Sequence, residues 1–323
     1  METYQRSAAK VRDWMNANFD RASSCIIGPD DPRFYIKAPV LLSALGLKSK
    51  AEAVAHHVAG HFVDEQGDVT RGSAKIPLEN RLYGLGWLAW GGTTVERYDL
   101  AEPLASHLAQ LQDRQSGGMV IPDEDAGEQV AEVCFSGGAG MGLIAAGKVK
   151  QAQQMADRFI ALWDAQPDPN RFYNRFRRDG TVVKKIASGG WDKIYDLRMD
   201  EQRPANFATV VSMMVWVGRA TRDRRYFAGA RRYVDYTYSH QLDPSKFGRA
   251  TKFGWAMINL YKDTGDEALL VKARHLGDFL ASCQSKDGLW EPRPLSSAPV
   301  HPAARLSYSS DCAMTITALA NLD

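Results

Sequence analysis

Two stretches of this chain lie over each other without a gap. ATRDRRYFAGARRYVDYTYSHQ begins at Ala220 and DTGDEALLVKARHLGDFLASCQ at Asp263, an offset of 43 residues. Thr221 falls on Thr264, Asp223 on Asp266, Ala230 on Ala273, Arg231 on Arg274 and Asp235 on Asp278. The apolar positions within each stretch recur at helical spacing. The aspartate after each Thr-x pair suits a helix N-cap, where a carboxylate accepts the unpaired first-turn amides. A fixed period near forty is the mark of a helical-hairpin repeat, in which each unit buries its apolar face only against its neighbours.

Each of these polar-faced helices follows a more apolar one, ANFATVVSMMVWVGRA before the first and TKFGWAMINLYK before the second. The pattern extends through the chain. KAPVLLSALGL precedes KAEAVAHHVAGHFVDEQGD, NRLYGLGWLAWGG precedes DLAEPLASHLAQLQDRQSGG, and EVCFSGGAGMGLIAAG precedes VKQAQQMADRFIALWDAQ. Strand-like alternation is scarce. The first helix, QRSAAKVRDWMNANF, has no inner partner before it, and the last, DCAMTITALANL, has no outer partner after it. Pairing these two ends uses every helix once. The expected fold is therefore all-α, one domain over residues 1–323, built as an (α/α)6 toroid of six inner and six outer helices closed by its termini. The small residues of GGAGMGLIAAG allow close helix approach around a crowded centre.

The stretch CQSKDGLWEP, residues 283–292, punctuates the return of an outer helix. Asp-Gly supplies a tight turn with a residue tolerant of positive φ. The glutamine amide caps free backbone groups at the helix end, and the indole packs over the junction. LQDRQSGGMV near Gln112 and FVDEQGDV near Gln66 are looser versions.

QSKDGLW resembles the QW repeat of the triterpene cyclases. The helix-pair pattern looks like the α/α-toroid superfamily, which holds terpenoid cyclases and the β subunits of protein prenyltransferases. Related six-hairpin barrels include uronyl hydrolases, sugar epimerases and polysaccharide lyases. Their catalytic strings are incomplete here. The Asp-x-Asp-Asp of class II cyclases is met only by GPDD, Gly28 to Asp31, and the Asp-Asp-x-x-Asp of class I by DDPRF, which ends in Phe34. A prenyltransferase zinc site needs Asp-x-Cys and a later His, whereas Asp311 and Cys312 are adjacent and no histidine follows. No cofactor or metal is expected. His57 and His61 have an i, i+4 spacing but no third ligand, and read as packed or exposed histidines of an outer helix. GGAG at Gly137 lacks the Lys-Ser/Thr of a phosphate loop.

In the barrels that this chain resembles, substrate lies in the mouth formed by the starts of the inner helices. PDDPRFYIK, LENRLYGLGW, EVCFSGG, MDEQRPANF, KFGRATKFGW and RLSYSSDC would surround it here. They bring together acids, tyrosines, guanidiniums and aromatics. Asp311 and Asp31 are the proton-transfer candidates, with Asp200 as a further acid and Tyr35 and Tyr308 as assisting donors. Arg81, Arg203 and Arg249 would hold an anionic group, since guanidinium grips an oxyanion in a bidentate fork, with Arg33 and Lys37 as further substrate-binding residues. Tyr83, Trp87, Phe135, Phe207, Phe253 and Trp255 would line the apolar part. Any single residue of this set has the plainer reading of a cap or surface ion pair. The argument rests on six segments sharing the pattern, of which Lys252 in KFGRATKFGW is part.

Forty basic and 38 acidic residues leave a formal charge of +2, which argues against a phosphate-tracking nucleic-acid binder. The basic run RFYNRFRRDGTVVKK, Arg171 to Lys185, reads as a solvated loop or pocket rim. METYQRSAAKVRDW has no apolar core of signal-peptide length, no apolar run spans a membrane, and the four cysteines are scattered. The expectation is a cytoplasmic monomer or homodimer whose partner is a small molecule. Its chemistry would be metal-independent cyclisation, isomerisation or elimination of a small oxygenated, anionic metabolite of terpenoid or polyketide type. The alternative is a carbohydrate-active barrel, a glycoside hydrolase or sugar epimerase, drawing on Asp31, Glu132, Asp200 and Asp311 as acids and on Trp87, Trp191 and Trp255 for stacking. A non-catalytic repeat protein would instead be an open solenoid.

Overall fold

The structure is a computed structural model that describes residues 2–18, 28–72, 75–123, 127–184, 194–196, 205–238, 251–292 and 300–322. Among them are twelve α-helices. The inner ones are α2 (Ala38–Ala44), α4 (Leu78–Thr94), α6 (Val133–Ala145), α8 (Ala205–Thr221), α10 (Phe253–Thr264) and α12 (Pro302–Ala320). The outer ones are α1 (Glu2–Asn18), α3 (Lys48–His61), α5 (Tyr98–Leu111), α7 (Val149–Asp164), α9 (Arg225–Tyr238) and α11 (Glu267–Ser282). Each inner helix packs on the next, and α12 packs back on α2, so the inner ring is closed. The fold is an (α/α)6 toroid. The inner helices are close to apolar all round, as helices buried on every side must be. None of the described helices is long and apolar enough to cross a membrane.

Closure is made by α1, which packs on both α11 and α12. Tyr4 donates to Asp278 at 2.6 Å, and Ser7 donates to the Gln284 side chain at 2.9 Å. The Gln-to-Trp turn does the stapling. Gln284 donates to the carbonyls of Gly288 (2.8 Å) and Ser7 (3.0 Å), while Trp290 Nε1 donates to the Leu280 carbonyl (2.7 Å) at the end of α11. Gly288 sits at φ +91°, and a Cβ there would lie 2.5 Å from the Lys10 carbonyl of α1. Only glycine combines that φ with that approach. The turn after α5 repeats the device, with Gln112 donating to the carbonyls of Gly117 (2.7 Å) and Gln151 (2.9 Å). Near Gln66, Asp64 has that part, accepting from the Gln66 and Asp68 amides.

The gapless repeat has its structural counterpart in α9 and α11. Asp223 accepts from Arg225 N at 3.0 Å and Asp266 from Ala268 N at 2.9 Å, two caps in register. At the tightest inner contact, α4 against α6, Gly86 faces Gly138 so closely that an added Cβ would overlap the Gly138 carbonyl. This is why the glycine-rich run lies on α6.

Three features depart from the sequence reading. First, α12 starts at Pro302 rather than near Asp311, because proline suits the first helical turn and the His301 side chain caps it, accepting from Ala303 N. Second, short strands occur. β1 (Val120–Asp123), β2 (Glu128–Glu132) and β4 (Arg175–Phe176) form one antiparallel sheet, and β3 (Arg171–Tyr173) pairs with β5 (Ile194–Asp196). Third, each of the four arginines in the basic run that supplies β3 and β4 is paired with an acid. Arg171 pairs with Asp196 (2.6 Å), Arg175 with Asp123, Arg177 with Glu128 (2.7 Å) and Arg178 with Asp113 (3.4 Å).

Candidate active site

The mouth of the inner ring gathers one buried charge cluster from five helices. Lys37 and Lys252 occupy the positions just before α2 and α10, where neither side chain caps its helix. Both turn inward instead. Asp311, in the middle of α12, is gripped on both oxygens: Lys37 Nζ lies 2.6 Å from Oδ1 and Lys252 Nζ 3.1 Å from Oδ2. Lys252 also donates to the Tyr83 hydroxyl of α4 at 3.0 Å, and Lys37 to the Ser307 carbonyl at 3.3 Å. The Cys134 thiol, in the first turn of α6, is buried among the same charges.

Two ammonium groups around one buried carboxylate cannot both be neutralised, and their environments separate them. Burial is the largest influence on Asp311 and favours its neutral form, but Lys252 and Lys37 outweigh it and hold the carboxyl below its ordinary range. Burial also opposes charge on Lys252, yet Asp311, Tyr83 and Cys134 overcome it and push its pKa up. On Lys37 burial prevails, aided by the like charge of Lys252, and its pKa falls to about 8. Burial and the charge of Glu132 push the Cys134 thiol up to about 12, and burial also pushes Tyr83 up. Asp311 is thus an anion in the resting cluster, and Lys37 is the member whose pKa lies nearest neutral pH.

Below this cluster the bore is aromatic. Trp90 stacks on Trp255 at 5.3 Å between ring centroids and meets Trp216 edge-on at 4.9 Å, while Trp87 lies 5.1 Å from Trp90. The Lys37 ammonium is 5.3 Å from the Trp87 centroid, a cation–π distance. Trp87 Nε1 is buried with no hydrogen-bond partner among the described residues. Trp90 and Trp216 are half-buried.

Of the residues picked from sequence, Asp311, Lys37, Tyr83, Trp87 and Trp255 converge here. Tyr308 is one turn before Asp311 on the same helix face and is half-buried, as is Phe135 beside Cys134. The others are placed elsewhere. Asp31 caps the single turn Pro32–Phe34 and pairs with Arg33 at 2.6 Å. The Tyr35 ring packs on His57 (5.1 Å) and Phe62 (5.4 Å) of the outer layer. Arg81 turns outward to Asp68 (3.1 Å), which also faces His107 at 3.6 Å. Phe207 packs among Phe172, Tyr195 and Tyr233, and Phe253 stacks on Tyr238 of α9. Glu132 caps α6 by accepting from Phe135 N at 2.9 Å. Asp200, Arg203, Arg249 and Trp191 lie outside the described residues. His57 and His61 stack at 4.1 Å, and no group of three metal-binding side chains occurs among the described residues.

Sequence reasoning gave no role to Lys252, Cys134, Trp90 or Trp216. The i, i+3 spacing of Trp87 and Trp90 was a usable signal, since it puts both indoles on one helix face.

The lowered Lys37 pKa gives a pH dependence with a definite sign. Between about 8, its folded value, and 10.5, its ordinary one, the unfolded chain binds a proton that the folded protein lacks. Stability contributed by this group therefore rises with pH across that window. The unfolding free energy of Lys37→Met minus that of wild type should fall by about 1.4 kcal/mol per pH unit there. Urea titrations at several pH values measure it, and a flat difference would refute the depressed lysine.

No family model and no curated protein matches the chain. Solved structures do, at low identity. The GH76A α-1,6-mannanase of Salegentibacter sp. HEL1_6 aligns at TM-score 0.68 and 12% identity, over 99% of this chain and 100% of that one. A D-mannose isomerase gives 0.62 and 12%, over 98% and 96%. A type II terpene cyclase from Scytonema in complex with geranylgeranyl dihydroxybenzoate gives 0.61 and 12%, over 99% and 98%. What these three share with the present chain is the toroid.

Proposed function

We propose that this chain is an enzyme of acid–base chemistry, an isomerase, cyclase or lyase acting in the toroid mouth on a small oxygenated, anionic metabolite with an apolar part. The observation that carries this reading is the Lys37–Asp311–Lys252 cluster, whose surplus positive charge faces an aromatic bore. An incoming anionic oxygen would balance the second ammonium, with Lys252 as its counter-charge and the tryptophans against its apolar part. Lys37 carries the proton, released and regained near its pKa of about 8. Asp311, a proton-transfer candidate from the sequence, serves as the carboxylate that orients and receives. Tyr83, whose phenol stays protonated, acts as a hydroxyl donor to developing charge.

A carbohydrate substrate is the second reading, supported by the half-buried indoles of Trp90 and Trp216 and by the likeness to mannanases and a mannose isomerase. Within it, isomerisation fits better than hydrolysis. A hydrolase needs two carboxyls facing one glycosidic bond, and among the described candidates Asp31 and Glu132 are engaged as helix caps and Asp311 is held by two lysines, while Asp200 lies outside the described residues. Two of the similar mannanase structures are inactive variants with a neighbouring pair of aspartates replaced. The Asp-Asp pair of this chain, Asp30–Asp31, precedes α2 with Asp31 held by Arg33. A scaffold role loses its main support with the closed ring.

A thermal-shift screen tests the assignment. Isoprenoid and polyketide-type carboxylic acids should raise the melting temperature, a ligand at one hundred times its Kd adding about 2.7 kcal/mol, and Lys252→Met should abolish the effect. Stabilisation by neutral sugars alone would replace this reading with the carbohydrate one.

A further inference from the structure

We infer that Lys37 is an amine nucleophile that forms an imine with an aldehyde or ketone substrate, with Asp311 and Lys252 placed to move the protons of that step. The inference rests on the acid–base reading above and adds to it a substrate class, a carbonyl compound, and a covalent step. Its basis is geometric. Three segments far apart in the chain bring two primary amines onto opposite oxygens of one buried carboxylate, at 2.6 and 3.1 Å. Both amines also lie over the same phenol ring, 5.6 and 5.4 Å from the Tyr83 centroid. A carboxylate that only balanced charge would need one ammonium. The second amine is the surplus, and a neutral amine is a nucleophile.

The groups facing Lys37 come from every element around it: Asp311 from α12, Lys252 from the start of α10, Tyr83 from α4 and Cys134 from α6. Burial and the like charge of Lys252 favour the free amine, and Asp311 opposes them. Tyr83, Phe135 and Tyr308 at the cluster's edge are half-buried.

The step balances. The Nζ lone pair forms a bond to the carbonyl carbon, and the carbonyl π pair moves to oxygen, which takes a proton from the Lys252 ammonium. Nitrogen gives one proton to Asp311, leaving a neutral carbinolamine. Asp311 returns that proton to the hydroxyl, the C–O bond breaks, and water departs as nitrogen forms the C=N bond. The iminium carries the positive charge that Lys252 gave up, and nothing is oxidised or reduced. The iminium then withdraws electrons from the adjacent carbon, which is what isomerisation or elimination beside a carbonyl requires.

Glyoxylate, a small anionic aldehyde, is the probe. The full chain is incubated with glyoxylate and sodium cyanoborohydride at a pH of about 7.5, and the reduced adducts are mapped by mass spectrometry. At that pH an amine with a pKa near 8 is on the order of a hundredfold more deprotonated than an ordinary lysine. Lys37 should therefore be modified at least about tenfold faster than the exposed Lys48, even after some loss to burial. Lys252→Met removes the like charge and leaves Asp311 to one ammonium, so modification of Lys37 should slow about tenfold while Lys48 is unchanged. Modification of Lys37 no faster than Lys48, in protein that melts cooperatively, overturns the imine. Carboxylic acids that stabilise the fold while Lys37 stays unmodified would leave the acid–base reading standing without it. A modified Lys37 with no carboxylate stabilisation would keep the imine and remove the anion-binding part of that reading.

Discussion

Replacing Asp311 with alanine should destabilise the fold by about 3–5 kcal/mol, because it leaves two buried ammonium groups without their counter-charge. Lys37, Lys252 and Asp311 are all at least nine-tenths buried, so solvent screening gives little relief. Urea unfolding near neutral pH measures the loss. The same substitution made together with Lys37→Met and Lys252→Met should recover most of it, since an apolar cluster of similar volume carries no desolvation cost. Asp311→Asn should fall between the two, as it keeps the shape and hydrogen bonds but not the charge. A loss for Asp311→Ala below about 1 kcal/mol, the range of solvated ion pairs, would mean that water already bathes this cluster. The functional reading would then lose its electrostatic basis.

Trp290→Ala should cost a similar amount, about 3–5 kcal/mol, the range for a buried tryptophan cut to alanine. Trp290 is 1% exposed. Its indole closes the end of α11 by donating to Leu280, and its backbone amide donates to Ser309 of α12 at 3.0 Å. The residue therefore joins the last outer helix to the last inner one, beside the seam where α1 docks. Trp290→Phe keeps most of the ring and loses the indole donor, while the Leu280 carbonyl still accepts from Cys283 N at 3.2 Å, so its loss should be about 0.5–1.5 kcal/mol, the net worth of one hydrogen bond. Limited proteolysis gives an independent readout, with cleavage within α1 appearing in Trp290→Ala at temperatures where wild type resists. Unchanged stability in Trp290→Ala would show that the ring closes without this turn.

The toroid was legible because its signals are local. Helical periodicity, an N-cap aspartate and a Gln-to-Trp turn each act within a few residues, and the matched pair at Asp223 and Asp266 caps as the repeat implies. Closure was also legible, by counting an inner and an outer helix each left without a partner. The start of α12 was misread because Asp311 looked like a cap, whereas Pro302 and His301 begin the helix and carry Asp311 into the bore.

The mouth residues divide differently. Successive helical residues point about 100° apart, so membership of a mouth segment does not fix which side chain enters the mouth. Phe253 and Trp255 show this within one turn, for Phe253 stacks outward on Tyr238 while Trp255 stacks inward on Trp90. Arg81 and Tyr83 divide in the same way, one reaching Asp68 and the other Lys252. Sequence by itself determined the helix pairs, their order and the closed ring, because short-range chemistry specifies each, and it named candidates for the mouth without placing them. Only the tertiary structure decided which of them meet and which proton is mobile. Desolvation and charge at Lys37 depend on residues 252 and 311, more than two hundred positions away, and burial by the whole ring sets the sign of the shift.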